Sequence, residues 1–163
     1  MSMLFWRGTG SVRFLPTIAG TAGPTAAEIT AGSDLSAAVT AIAGFETQLN
    51  RVGVPVLSSS TELQIDGPQT FVDSSLTMVE DDGTGTDADS LLRISALTLL
   101  ADGVSGYFVL SRVKRTLVTG DKVYVFPGKV GANNPGWTLD ANVRTTTINV
   151  VLTAAARKAV AVI

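Results

Sequence analysis

Few residues of this 163-residue chain could carry chemistry, because the sequence contains neither cysteine nor histidine. Histidine is the commonest general base and transition-metal ligand, and cysteine is the usual thiolate nucleophile. The serine run Ser58–Ser60 therefore has no imidazole to activate it, and a serine nucleophile would need a lysine base. A carboxylate mechanism is the enzymatic alternative that stays open, although no residues assemble into an active site.

Carboxylates form the second candidate for a functional site. Oxygen ligands for calcium could come from Glu80–Asp82, Asp87 and Asp89. Their spacing lacks the glycine at position six and the glutamate at position twelve of a calcium-binding loop. We therefore expect a solvated turn followed by a helix N-terminus, with no metal and no cofactor.

Two further motifs have ordinary structural interpretations. Pro127–Gly131 superficially resembles a phosphate loop, but it lacks the first glycine and the Ser or Thr after the lysine, so a turn is predicted. Arg112, Lys114 and Arg115 form a small basic cluster that suits a solvated strand end or a subunit salt bridge. A net charge of −2 argues against general nucleic-acid binding.

Composition indicates one domain, residues 1–163, whose surface is hidden in contacts with other copies. Hydrophobic residues make up 45% of the chain and charged residues 16%, whereas about 25% charged is usual for soluble domains. No apolar run approaches the roughly 20 residues of a membrane helix. The chain is expected in the cytoplasm at synthesis, without a membrane partner.

The chain is organised around a predicted ribbon of two strands, Phe45–Val52 and Thr70–Val79. Side chains alternate across a strand, so each strand has an apolar face and a polar face. Phe45, Leu76 and Met78 lie on the apolar faces. The polar face comprises Glu46, Gln48, Asn50, Asp73, Ser75 and Thr77.

Between these strands, residues 53–69 are predicted to form a long loop. Loops beyond about 12–15 residues are uncommon in compact domains and are usually functional. Five aliphatic side chains in this loop should find a surface to bury them: Val54, Val56, Leu57, Leu63 and Ile65.

One helix is predicted over residues 87–101, with Thr86 or Asp87 as the N-cap and Gly103 as a terminator. Leu91 and Leu97 fall at helical spacing, so both are expected in the core. Strands are expected around Ser11–Ile18, Asp34–Ala43, 106–113, 122–126, 145–153 and 160–162. This order favours a mainly β fold, either a β-sandwich of two packed antiparallel sheets or one rolled sheet, flanked by the helix.

Several strings resemble the major tail (tail tube) proteins of long-tailed bacteriophages of the siphovirus type, especially those of actinobacterial hosts. The Pro24–Leu35 string is the most distinctive, and the segment Val130–Asn142 has no counterpart in the resemblance. The other strings are Phe14–Ala19, Gly44–Phe45, Ser75–Asp82 and Gly106–Val109.

The resemblance implies a structural protein of the virion tail that forms hexameric rings. Each subunit would lend strands to an inner β-barrel, and stacked rings would form a tube through which DNA passes without specific binding. The polar face of the ribbon is then expected to face the lumen, and the 53–69 loop to contact the next ring. Expected partners are further copies, the tape-measure protein, the tail terminator and the baseplate or distal tail proteins.

The first alternative is another β-protein of the virion. A tail terminator would close the tube as a single ring, and a head-decoration protein would bind capsid as a trimer or monomer. The second alternative is an enzyme such as a small hydrolase, which the absence of histidine and cysteine opposes without excluding a carboxylate mechanism.

Overall fold

A computed structural model describes residues 9–55, 57, 63–112, 116–137 and 143–163. Of the residues named above, Val56, Ser58–Ser60, Lys114 and Arg115 lie outside these ranges, as does the end of the segment Val130–Asn142. The described elements, in chain order, are β1 Ser11–Leu15, α1 Ala26–Ala31, β2 Ser33–Asp34, β3 Val39–Ala43, β4 Thr47–Val54, β5 Leu63–Phe71, β6 Ser74–Val79, α2 Ala88–Leu99, β7 Ser105–Ser111, β8 Lys122–Pro135, β9 Thr145–Leu152 and β10 Arg157–Ala161.

The strands form two antiparallel sheets, which confirms the predicted mainly β class. Eight strands make one sheet in the order β2-β1-β7-β8-β9-β6-β3, with β10 also paired to β8. The hairpin β4–β5 forms the second, two-stranded sheet. The sheets therefore differ greatly in size, and most of the protein is built on the larger one.

The two faces of the large sheet carry different cores. One face, here called the core face, bears Phe108, Leu76 and Ile148 and packs against Ala96 and Leu100 of α2. The opposite face carries a smaller core only near β1, β7 and the start of β8. Its buried side chains are Leu15, Ile29, Val109, Leu117, Val123, Val125 and Val162. Alternation along each strand explains the split, since neighbouring residues such as Phe108 and Val109 point to opposite faces.

Both helices begin at side-chain caps. The Thr25 hydroxyl accepts a hydrogen bond from the Glu28 backbone at 3.1 Å, and the Glu28 carboxylate accepts one from the Thr25 backbone at 2.7 Å. This reciprocal capping box satisfies amides that the first helical turn leaves unpaired. Asp87, one of the two predicted candidates, caps α2 and accepts from the Ser90 backbone at 3.0 Å, but the C-cap is Leu100 instead of a residue near Gly103.

The predicted ribbon is wrong in its pairing. Residues 63–71 form β5 and pair with β4, so most of the second half of the expected loop is strand. Ser74–Val79 instead pairs with β3 and β9 in the large sheet. Gly67–Pro68 suggested a loop, but a bulge opposite Asn50 accommodates the proline, which cannot donate to a ladder.

The turn predicted at Pro127–Gly131 also lies inside a strand. This segment and Asn133–Pro135 both belong to the 14-residue strand β8. Pro127 sits where the neighbour of β8 changes from β10 to β9, so its missing N–H leaves no regular ladder bond unmade. The Pro127 carbonyl still accepts the Thr153 amide at 3.0 Å.

The strand prediction at Asp34–Ala43 is also too long. The chain forms only a short β2 there, then a turn, and then β3. Ser11–Ile18 likewise ends early, at Leu15, because Pro16 follows directly.

Candidate functional site

Half of the opposite face of the large sheet is left uncovered. This open half-face is formed by β3, β6, β9 and the end of β8, and neither core of the described chain includes its side chains. Cross-strand pairs define it, because directly opposed residues share a face. Its members are Ala41, Ala43, Ser75, Thr77, Asn134, Thr147 and Asn149.

None of these seven side chains is ionisable, and Val79 and Thr145 continue the same face, so its centre is mainly polar and uncharged. The hydroxyls of Thr77 and Thr147 lie 3.4 Å apart across the β6–β9 pair. At the border, Lys129 stands opposite Val151. A surface of small hydroxyl and amide groups offers no fixed cation to hold a phosphate.

The β4–β5 hairpin leaves the large sheet at Gly44 and Phe45, which both adopt positive φ angles of 72° and 53°. A Cβ at residue 44 would lie 2.3 Å from the Asp73 carbonyl oxygen, so only glycine fits there. Phe45 is buried and packs edge-on against Phe108 and Phe126 at centroid distances of 5.8 and 5.3 Å. This anchored turn sets the direction in which the hairpin departs.

The hairpin exposes aliphatic side chains that a subunit by itself does not cover. Val52 is paired with Ile65 and Val54 with Leu63, so these four lie on one face. Val52, Ile65 and Leu63 are 48%, 48% and 56% exposed. Leu49 and Phe71 form a second exposed pair on the other face, near the base. Clustered exposed apolar side chains of this kind mark interaction surfaces.

The six residues expected to line a lumen are all solvent-accessible, but they fall in separate places. Ser75 and Thr77 lie on the open half-face. Gln48 and Asn50 lie on β4, on the same face as Val52. Glu46 and Asp73 are exposed at the base of the hairpin, where the Val72 amide donates to the Glu46 carbonyl at 3.3 Å.

Among the residues expected to contact another ring, Leu57, Leu63 and Ile65 are exposed and Val54 is half-buried. Sequence reasoning missed Val52, Leu49 and Phe71, because it assigned them to buried strand positions or strand ends. The regular alternation Leu63-Gln64-Ile65-Asp66 was the signal that could have identified β5.

The acidic segment is engaged in its own turns. Asp82 accepts from the Thr84 hydroxyl and backbone at 2.6 and 2.9 Å, and these bonds hold the pKa of that carboxyl below its usual value. Asp81 lies 3.8 Å from Arg93 of α2. Within the described residues, no three carboxylates come close enough together to hold a metal ion.

These features define a class of protein before any family is considered: a β-rich protein that exposes an uncharged half-face and an aliphatic hairpin. The chain belongs to the phage tail tube protein family, whose model matches residues 4–163. It is therefore a structural protein of the phage virion, located in the tail. No helix in the described ranges is long and apolar enough to cross a membrane.

Comparison with solved structures shows a similar fold at low identity in the first of the two matches described here. A chain of the anti-feeding prophage baseplate, determined by cryo-EM with six-fold symmetry, matches with a TM-score of 0.58 and 13% identity, covering 96% of both chains. The Dit protein of phage SPP1, described as a hub adsorption apparatus, matches with a TM-score of 0.43 and 14% identity. That match covers 88% of this chain and 49% of the Dit chain. No curated protein matches the sequence.

Proposed function

We propose that this protein polymerises as stacked hexameric rings into the tail tube that conducts genomic DNA. The observation that carries the proposal is the hairpin, which among the described residues pairs only with itself in a separate sheet and which exposes an aliphatic face. Such a face is unfavourable in water, and a neighbouring copy would bury it. Membership in the tail tube family supports the same conclusion and implies a non-enzymatic role.

In this proposal the open half-face lines the lumen. It is the uncovered surface of a sheet whose other parts are packed, and its side chains are uncharged. DNA must slide along the wall of a conducting tube. Lysine and arginine bind DNA by releasing counterions from its phosphates, and a surface without them does not hold the DNA in this way. Ser75 and Thr77 therefore keep their predicted lumen role, and Gln48 and Asn50 would extend it along the base of the hairpin.

The tip of the hairpin would contact the adjacent ring. Val52, Val54, Leu63 and Ile65 supply the aliphatic face, and Leu57 adds a fully exposed side chain at the tip. Glu46 and Asp73, exposed at the base of the hairpin, are proposed to face the lumen as well. The tape-measure protein, the tail terminator and the baseplate proteins are the remaining proposed partners.

The test introduces charge into the aliphatic face of the hairpin, with the double variant Val52→Asp and Ile65→Asp. These two residues are directly opposed, so the two carboxylates would repel each other. Burying them against an apolar contact surface would also be unfavourable. We expect the subunit to remain folded by circular dichroism, because the core lies in the other sheet. Negative-stain microscopy should show no tubes.

Leu91→Asp is the matched control, since Leu91 is 56% exposed on α2, away from the hairpin. This variant should form tubes like the parent protein. Normal long tubes from the hairpin variant would contradict the proposed contact between rings. Single closed rings from the unmodified protein would instead favour a tail terminator.

A further inference from the structure

The outer edge of β10 is covered by an irregular segment of the same chain. β10 pairs with the first part of β8 through one edge, and no strand of the described chain pairs with its other edge. Residues 20–26, here called the clasp, lie along that other edge. In the chain, the clasp connects β1 to α1 and includes the first residue of α1.

A side chain of β10 holds the beginning of the clasp. The Arg157 guanidinium donates to the carbonyl oxygens of Gly20 and Thr21 at 3.0 and 3.2 Å. Hydrogen bonds from a charged donor are stronger than those between neutral groups. One arginine therefore fixes two consecutive peptide groups of the clasp beside the first residue of β10.

Backbone hydrogen bonds hold the end of the clasp. The Ile163 amide donates to the Pro24 carbonyl at 3.0 Å. The Ile163 carbonyl in turn accepts the Ala26 amide at 2.8 Å. Because the clasp meets the beginning of β10 first and the residues after β10 last, it runs parallel to the strand along its full length.

The middle of the clasp contacts β10 closely. A Cβ at residue 23 would overlap the Ala161 carbonyl oxygen and the Val160 side chain, so only glycine permits this approach. Gly23 and Pro24 are both buried. A second strand therefore has no access to the Ala161 carbonyl from the side that Gly23 occupies.

The irregularity of β10 does not close the edge by itself. A bulge lies between Arg157 and Val160, where Ala159 adopts a positive φ of 53°. A bulge twists a strand edge, but a twisted edge still presents backbone N–H and C=O groups to other chains. Covering the edge with a loop removes the access that the bulge leaves.

We propose that the clasp is an autoinhibitory contact that prevents β10 from pairing with β10 of a second copy of this chain. Every copy carries the same edge, and two identical edges can pair antiparallel about a two-fold axis. Such a pair closes on itself and cannot continue into a larger assembly. If the proposed function holds, the clasp thereby keeps subunits out of dimers that could not enter a tube.

Two variants open the clasp by different means. Gly23→Val places a side chain where the Ala161 carbonyl lies, and Arg157→Gln removes the guanidinium. Ala22→Val is the matched control, since Ala22 is exposed in the same segment. Hydrogen–deuterium exchange of residues 20–27 should accelerate in both opening variants, whereas exchange of β7 and β9 should stay unchanged.

Cross-linking measures the pairing itself, since the native chain has no cysteine. Lys158→Cys, exposed on β10, is introduced into each protein and treated with a short bismaleimide. We expect covalent dimers in both opening variants, and only the background level in the Ala22→Val control and in the protein with Lys158→Cys alone. Leu91→Cys, exposed on α2, gives that background level from random collision.

Three results would overturn the proposal. Unchanged exchange of residues 20–27 in both opening variants would show that these contacts do not hold the clasp. Faster exchange without additional dimers would show that an uncovered β10 does not pair with a second copy. Equal yields of dimer with the clasp closed and open would show that the clasp blocks nothing. The cross-link is read at β10 whether or not tubes form, so its outcome is separate from that of the proposed function.

Discussion

At the scale of single residues, two hydrogen bonds make Glu28 a pH-sensitive element of the fold. The Ala19 amide at 2.8 Å and the Thr25 amide at 2.7 Å both donate to this carboxylate and hold its pKa below the ordinary value of 4.5. A lowered pKa in the folded state means stabilisation that is complete above the unfolded-state pKa and lost as pH falls through the folded-state pKa.

Glu28→Gln should therefore lower the melting temperature at pH 7, and the difference from the parent protein should vanish in acid. Thermal unfolding followed at pH 7, 5, 4 and 3 measures this directly. The difference should stay constant between pH 6 and 8, which serves as the internal control. A difference that persists unchanged at pH 3 would show that the carboxylate charge is not what stabilises the cap.

At the scale of elements, α2 is a core helix, but its buried stripe differs from the one predicted. Leu91 is 56% exposed, whereas Ala96 and Leu100 are 2% and 0% exposed. Leu97 is half-buried and packs against the same core. The sequence around α2 offers several leucines at helical spacing, so periodicity alone permits more than one apolar face.

Leu100→Ala should destabilise the subunit by about 2–5 kcal/mol, because truncation of a buried leucine leaves a cavity. Leu91→Ala should change stability by less than about 0.5 kcal/mol, as is usual for exposed positions. Chemical denaturation of the unassembled subunit compares the two. Equal losses of stability in the two variants would mean that the helix packs against the core by a different face.

The sequence predicts elements better than their pairing. Period-two alternation identifies β6 and β9, and cap residues identify the start of α2, because these signals are local. Whether Thr70 and Phe71 belong with the strand before or after Val72 depends on partners far away in the chain. Gly67 and Pro68 added to the error, since a bulged hairpin tolerates residues that ordinarily end a strand.

The residues of the candidate site were likewise predictable from local alternation but not where strand pairing decides their position. Ser75 and Thr77 were found because their strand alternates cleanly. Thr147 and Asn149 were missed as members of the same surface, because only the β6–β9 register places them beside Ser75 and Thr77. The exposed faces of the hairpin likewise depend on a pairing that composition does not reveal.

At the scale of the whole molecule, the charge of the open half-face should control passage of DNA, if that surface lines the lumen. Ser75 and Asn149 are directly opposed, so Ser75→Lys with Asn149→Lys adds two cations to each subunit at one place. We expect tubes to form but DNA release from assembled phage to slow, most strongly at low salt, because lysines bind phosphates by counterion release.

Ser75→Gln with Asn149→Gln is the control for side-chain bulk and should release DNA at the parental rate. Fluorescence of a DNA-binding dye during triggered release gives the rate for each phage. Equal rates for the lysine and glutamine variants, at every salt concentration, would place this surface away from the DNA.

The strand order of the large sheet also determines the order in which its strand pairs can form during folding. β1 pairs locally with β2, but its other neighbour is β7, where Ser11 lies opposite Ser111, so this second pairing needs a strand from the second half of the chain. Pairings this distant form slowly, whereas a local hairpin such as β4–β5 closes within about 1–10 μs. At a synthesis rate of about 5–20 residues per second, the hairpin emerges seconds before the sheet can close. A nascent chain thus exposes the aliphatic face of its β4–β5 hairpin before the large sheet has formed. When many copies are translated close together, premature contacts between these hairpins are favoured.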